Sequence, residues 1–324
     1  MAEITLLEAI TLALAYELTH DENVVIFGED VGKNGGVFRA TLGLQERFGS
    51  HRVLDTPLAE SMLAGIAIGM AVQGLKPIAE FQFAGFIYPA MNQIISHAAR
   101  MRNRTRGRLH CPLVFRAPFG GGIRAPEHHS ESPEALFANI PGLQVVIPSS
   151  PKRAYGLLLA AIRNPDPVIF LEPNRVYRLT KQPVADDGEA LPLGKCFILK
   201  SGTDITLVSW GASIFETMQA ATQMEADGIS CEVIDVASIK PLDINSILAS
   251  IAKTKRCVII HEGARTCGVG AEISALIMEQ GFDYLKYPVQ RVTGYDTIMP
   301  YFQLEKYYIP SIERIKNGIL STME

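Results

Sequence analysis

Apolar positions recur at helical spacing over residues 5–18, where Leu6, Leu7, Ile10, Leu14 and Leu18 predict an amphipathic helix. Short apolar runs follow at 24–27, 52–55, 76–83, 112–117, 143–147 and 168–171, and each reads as a buried strand. Helical patterns stand between them at 41–48, after residue 59, at 88–103 and at 152–163. The last is opened by Ser149-Ser150-Pro151, a good helix start. Strands that alternate with helices predict a parallel sheet covered on both faces. Residues 180–193 are polar, hold Pro183, Pro192 and Asp186-Asp187-Gly188, and read as a linker. A second α/β unit then has strands at 204–210, 231–235 and 257–260, with helices at 213–227, 242–254 and 270–280. The expectation is an α/β chain of two domains, residues 1–185 and 186–324.

In such sheets ligands gather beyond the carboxyl ends of the strands. Gly28-Glu29, Glu60, residues 82–86 and residues 118–129 all follow a strand end, so they can converge on one edge. Glu60 is the single acid in a small, apolar stretch, Thr56-Pro-Leu-Ala-Glu60-Ser-Met-Leu-Ala-Gly65-Ile-Ala-Ile-Gly69. The plain reading is an acid stabilised at a helix N-terminus. The functional reading is a largely buried carboxylate that meets a partner nitrogen. Gly65 and Gly69 sit one turn apart although Gly costs a helix about 1 kcal/mol relative to Ala; the pattern predicts close approach of another backbone.

The segment Phe119-Gly-Gly-Gly122-Ile-Arg-Ala-Pro-Glu-His-His129-Ser-Glu-Ser-Pro is a glycine-rich loop with two adjacent histidines. They either cap the helix that starts near Glu134 or act as proton donors in a cleft. Gly268-Val-Gly270 hints at a dinucleotide fingerprint, but Ile273 stands where the third glycine belongs. Close helix–loop packing is the better reading.

Composition narrows the class. With 324 residues, 48% apolar and 20% charged, the chain reads as soluble and globular. A net charge of -4 argues against a general nucleic-acid surface, and the alternating arginines from Arg100 to Arg108 read as a solvated or interface loop. No apolar run is long enough to span a membrane. Five scattered cysteines without a Cys-x-x-Cys pair fit reduced thiols, and no basic leader opens the chain. The expected setting is the bacterial cytoplasm, with an organelle matrix as the alternative.

The spacing Glu60, Gly65, Ile66, Gly69 resembles the glutamate motif of thiamine diphosphate enzymes, with Met70 where many members have Gln. Further matches are Phe27-Gly-Glu-Asp-Val31, Glu80-Phe-Gln-Phe-Ala-Gly-Phe86, His129-Ser-Glu-Ser-Pro-Glu134, Pro141-Gly-Leu-Gln-Val-Val-Ile-Pro148 and Gly268-Val-Gly-Ala-Glu-Ile273. Over its whole length the chain is similar to beta subunits of heterotetrameric 2-oxo acid dehydrogenase E1 components. The resemblance implies a pyrimidine-binding parallel-sheet domain followed by a transketolase C-terminal-like domain. It implies that Glu60 promotes the cofactor tautomer that deprotonates the thiazolium carbon. Gln82 and Phe86 then line the aminopyrimidine, Glu29 lies at the cofactor, and His129 rather than His128 is the active-site histidine. Leu113, Ala161, Ile162, Asn164 and Asp166 match positions of a structural potassium ion, with Asn164 where relatives often have Asp.

Family members bind Mg²⁺ at the diphosphate through Gly-Asp-Gly and a downstream Asn, and this chain has no Gly-Asp-Gly. The resemblance therefore implies an alpha subunit that brings the diphosphate and Mg²⁺, in an α2β2 assembly. The implied reaction is decarboxylation of a small 2-oxo acid with acyl transfer to a lipoyl group of the E2 acyltransferase. Pyruvate and branched-chain 2-oxo acids both stay open as substrates. The C-terminal domain, with a tail 309–324 that reads as exposed and acidic at its end, is expected to hold the assembly and help dock E2.

Overall fold

The computed structural model describes residues 2–323. Two compact units make up the chain: Met1–Phe119 with Leu136–Leu193, and Gly120–Ala135 with Gly194–Glu324.

In the first unit the chain begins with β1 (Ala2–Thr5) and α1 (Leu6–His20). Thr5 and Glu8 form a reciprocal capping box, which fixes the start of the predicted first helix. Then come β2 (Val24–Gly28), α2 (Leu44–Phe48), β3 (Val53–Asp55), α3 (Glu60–Val72) and β4 (Lys76–Glu80). After the short α4 (Met91–Gln93) and α5 (Met101–Arg104) come β5 (Val114–Phe119), α6 (Glu134–Ala138, whose first two residues count with the second unit), β6 (Gln144–Val146), α7 (Pro151–Arg163), β7 (Val168–Pro173) and β8 (Lys181–Val184). Six of these strands lie in the order β6-β7-β5-β4-β2-β3, all parallel, as the alternation of the sequence predicts. Their residues are almost all buried, as expected of a sheet covered on both faces.

Two segments differ from the sequence expectation. The continuous helix at 88–103 is broken into a 3-10 turn (Ala84–Ala90), α4, a π turn (Ile94–Ala98) and α5. Pro89 has no N–H to give a regular helix, and the π turn lets Ile94 and Ala98 both face inward. The polar stretch after residue 180 begins as an edge strand: β8 pairs antiparallel with β1, a partner the pattern did not reveal. Pro183 is tolerated there because an edge strand can leave one N–H position unused. Beyond it Tyr155 Oη donates to Asp186, and the Gly188 N–H donates to Tyr155 Oη at 3.0 Å, so these residues are laid against α7.

The second unit contains β9 (Phe197–Lys200), β10 (Ile205–Ser209), α8 (Ser213–Ala226), β11 (Cys231–Asp235), a short β12 (Ser238–Lys240), α9 (Ile244–Thr254), β13 (Cys257–Ile260), α10 (Val269–Gly281) and β14 (Gln290–Val292). Its sheet runs β14-β13-β10-β11-β9, parallel except for β9. The chain closes with α11 (Glu305–Tyr308) and α12 (Ile312–Leu320). The tail is therefore not simply exposed: Ile315 and Ile319 enter the core beside Val258, Ile260 and Val292. Glu324, the end of the expected docking tail, lies outside the described residues.

At the centre of the first sheet Arg116 of β5 is wholly buried between Glu80 of β4 and Glu172 of β7. Its Nε and Nη2 donate to the two Glu172 oxygens at 2.7 and 2.9 Å, and Nη1 donates to Glu80. Tyr177 Oη donates to Glu172 at 2.5 Å. Removing one partner of a buried ion pair typically costs about 3–5 kcal/mol. Arg116→Met should therefore lower the urea-unfolding free energy of the chain by roughly that amount; a loss within the range of a surface ion pair would show that the carboxylates do not need the guanidinium.

Candidate functional site

β3, β2 and β4 are adjacent, and their last residues Asp55, Gly28 and Glu80 stand in one register row. The chain leaving each strand thus emerges at the same edge. Gly28 is required there, because a Cβ would lie 2.5 Å from the Glu80 main-chain oxygen. The Asp55 carboxylate accepts the N–H groups of Gly32 at 2.6 Å and Lys33 at 3.1 Å, which folds the glycine-rich loop back over the strand end. The Thr56 N–H donates to the Gly28 carbonyl at 3.0 Å.

Glu60 is the first residue of α3, whose N-cap Ala59 offers no side-chain acceptor. A carboxylate in that first turn is stabilised by the exposed N–H groups of the helix end. Glu60 is half-buried in this chain, less enclosed than the sequence suggested. Burial, then the charges of Asp30 and Glu60, push the Glu29 carboxyl above its usual range. A carboxyl raised by burial and by neighbouring acids marks a place for a shared proton or an N–H donor.

Ser61 Oγ donates to the Pro89 carbonyl at 2.6 Å and ties α3 to the turn that carries Phe86. The Phe86 ring meets Phe83 edge-on at 5.5 Å, and Phe83 meets Phe38 likewise. Gln82 and Phe86 are half-buried. The structure thus gathers Glu29, Glu60, Gln82 and Phe86 in the first unit at one strand edge. The Thr56 hydroxyl, which the sequence reading passed over, is buried without a hydrogen-bond partner among the described residues. An acid, an amide and an aromatic face beyond neighbouring strand ends fit a flat nitrogen heterocycle.

His128 and His129 belong to the second unit, on a 3-10 turn (Glu127–His129). His128 is exposed and His129 half-buried. The turn is closed by the His129 and Ser130 N–H groups donating to Pro126 and Glu127 carbonyls at 2.9 Å. The same unit holds two buried groups, Glu134, which closes the His129–Glu134 motif, and His261, which no motif announced. Glu134 is buried and its carboxyl is pushed up to about 8, chiefly by burial and further by the charge of Glu262. His261 is fully buried, stacks on Trp210 at 4.9 Å and is held down at about 3 by burial. The available signal was the run Ile259-Ile260-His261-Glu262, in which polar residues directly follow a buried strand.

The five potassium candidates surround the turn after α7. Leu113 O and Ala161 O already accept the N–H groups of Val168 and Asn164. Asn164 Oδ1 accepts from Gln144 and from the Asp166 N–H at 2.9 Å, and the Asp166 carboxylate pairs with Arg102 at 2.6 Å. Ile162 is buried in α7. Each of the Leu113 and Ala161 carbonyl oxygens keeps a second acceptor position beside the N–H it takes. Among the described residues no group of three or more His, Cys, Asp or Glu could hold a metal, and no helix is long and apolar enough to cross a membrane.

Comparison with known proteins adds the family. The pyrimidine-binding domain of transketolase matches residues 2–180, and the transketolase C-terminal domain matches residues 194–315. The pyruvate dehydrogenase E1 component subunit beta of Acholeplasma laidlawii is 50% identical, covering 97% of this chain and 96% of its own. The protein of the same name from Bacillus subtilis is 47% identical, covering 96% of both. Among solved structures, a split-gene transketolase described as an inactive beta4 tetramer shares the fold, with a TM-score of 0.82, 22% identity and 99% of both chains covered. With both domains matched in order and relatives this similar along their full length, the chain belongs to the family of pyruvate dehydrogenase E1 component beta subunits.

Proposed function

We propose that this chain supplies the pyrimidine half of a thiamine diphosphate site in a pyruvate dehydrogenase E1, and that an alpha subunit supplies the other half. The observation that carries this reading is the convergence of Glu29, Glu60, Gln82 and Phe86 on one strand edge of a chain that has no diphosphate-binding Gly-Asp-Gly. Glu60 would hold a ring nitrogen of the aminopyrimidine by a hydrogen bond, and Glu29, whose carboxyl is raised by burial and by the charges of Asp30 and Glu60, would keep the local demand for a proton high. Gln82 and Phe86 border the ring. The bound cofactor provides the electron sink for decarboxylation of a 2-oxo acid. His129 moves a proton when the acyl group passes to a lipoyl arm of the E2 acyltransferase. Mg²⁺ belongs with the diphosphate on the alpha subunit.

The surface of α3 supports a partner chain. Met62, Ile66 and Gly69 are exposed, a Cβ on Gly65 would find only Gln93 at 4.0 Å, and one on Gly69 would meet nothing within 4 Å. Among the described residues no backbone uses the two glycines, which fits an α2β2 assembly packed across this face. Pyruvate as substrate follows the names of the relatives; steady-state comparison with 2-oxoisovalerate on the reconstituted complex checks it, and a preference for the branched acid reverses the assignment.

Glu60→Gln should assemble normally and lose about 10²- to 10⁴-fold in turnover, the usual contribution of a positioned proton-transfer group. Near-normal turnover removes Glu60 from this role. In the same complex His129→Ala should impair lipoyl acylation far more than His128→Ala, and equal effects contradict the choice between them.

A further inference from the structure

The loop that bears His129 is held by two carboxylates that no sequence motif announced. Glu262 lies just past the carboxyl end of β13 and is 7% exposed; Glu305 opens α11 and is 5% exposed. Glu262 Oε1 accepts the Gly121 N–H and, at 3.3 Å, the Ser132 hydroxyl. Glu305 Oε1 accepts the Gly122 N–H at 2.5 Å and its Oε2 accepts the Arg124 N–H at 3.2 Å. The acceptors therefore grip three amides of a five-residue stretch, 120–124, and one hydroxyl after the histidines.

The backbone is shaped for this grip. Gly120 and Gly122 have φ of +87° and +90°, and Arg124 has +60°. A Cβ on Gly120 would lie 3.0 Å from Glu262 Oε1, and one on Gly121 would lie 2.5 Å from the Met299 methyl. A side chain at Gly120 would press on the Glu262 carboxylate, and one at Gly121 on Met299 and, at 3.4 Å, on Glu305 Oε1. Left-handed turns without such acceptors would be free to relax, since glycine loses the most conformational freedom on ordering. Carboxylate–amide bonds in a buried setting are among the stronger hydrogen bonds available.

We propose that Glu262 and Glu305 are positioning residues for the reaction: they fix the main chain of residues 120–124 and through it the place of His129. This rests on the role given to His129 above. Neither carboxylate touches the reacting atoms; each acts by restricting the loop to one conformation, so that the imidazole does not have to be recruited in every cycle.

The test uses the assembled E1 with its alpha subunit. In Glu305→Ala, hydrogen exchange of the Gly122 and Arg124 amides should quicken by about tenfold to a hundredfold, while amides of β10 and β13 stay unchanged. The kcat for lipoyl acylation should fall roughly tenfold with KM for the 2-oxo acid nearly unchanged. Glu305→Gln, which keeps one acceptor oxygen, should recover part of both losses, and Glu262→Gln should quicken exchange at Gly121. In a His129→Ala background Glu305→Ala should cost little further activity, because residues acting as a unit are not additive. Faster loop exchange with normal acylation overturns the positioning role, and so do additive losses from Glu305→Ala and His129→Ala. If His129→Ala itself leaves acylation intact, the positioning role falls with the histidine assignment, and the exchange data identify the histidine as the part that failed.

Discussion

The buried guanidinium of Arg116 is the constraint on which the reactive edge of the first unit depends. It joins β4, β5 and β7 through Glu80 and Glu172 near the carboxyl ends of those strands. A buried ion network of this kind is a weak source of net stability, yet it tolerates few alternative arrangements. Glu80 is the last residue of β4, so fixing it fixes where Phe81, Gln82 and the turn to Phe86 leave the sheet. Its carboxylate also lies against Gly36, where a Cβ would sit 2.9 Å from Oε1, which ties the glycine-rich loop to the same point. The charge in the middle of the sheet thus sets the relative places of the loops that carry the candidate site.

Each unit solves the same problem with carboxylates that accept backbone N–H groups. In the first, Asp55 holds Gly32 and Lys33. In the second, Glu262 and Glu305 hold residues 121, 122 and 124. Glycine-rich loops carry little information of their own, and a fixed acceptor supplies what their side chains cannot. Glu60 and His129, on different units, are both presented by segments whose main chain is anchored in this way or by a helix start.

Much of this was legible in the sequence because it depends on short-range pattern. The strands at Val24–Gly28, Lys76–Glu80 and Val168–Pro173 were marked by apolar runs, and Glu60 by its isolation among small residues. The resemblance supplied what the pattern could not, the choice of His129 and the pairing with an alpha subunit. Long-range partners stayed hidden: β1 with β8, Arg116 with Glu172 at a separation of 56 residues, and Gly121 with Glu262 at 141. The break at Pro89 was visible as a residue but not as an outcome, because a proline within an otherwise helical pattern can kink, shift or end the helix.

The division of the cofactor between two chains is the central claim. In the proposed site Glu60, Gln82 and Phe86 serve the pyrimidine alone, whereas diphosphate affinity depends on charge-assisted contacts and a cation. Isothermal titration of thiamine diphosphate with Mg²⁺ into this chain alone, and into this chain mixed with its alpha subunit, measures the claim directly. Weak binding without Mg²⁺ dependence by the single chain, and tight Mg²⁺-dependent binding by the mixture, is the expected result. Tight, Mg²⁺-dependent binding by the single chain would contradict the two-chain site.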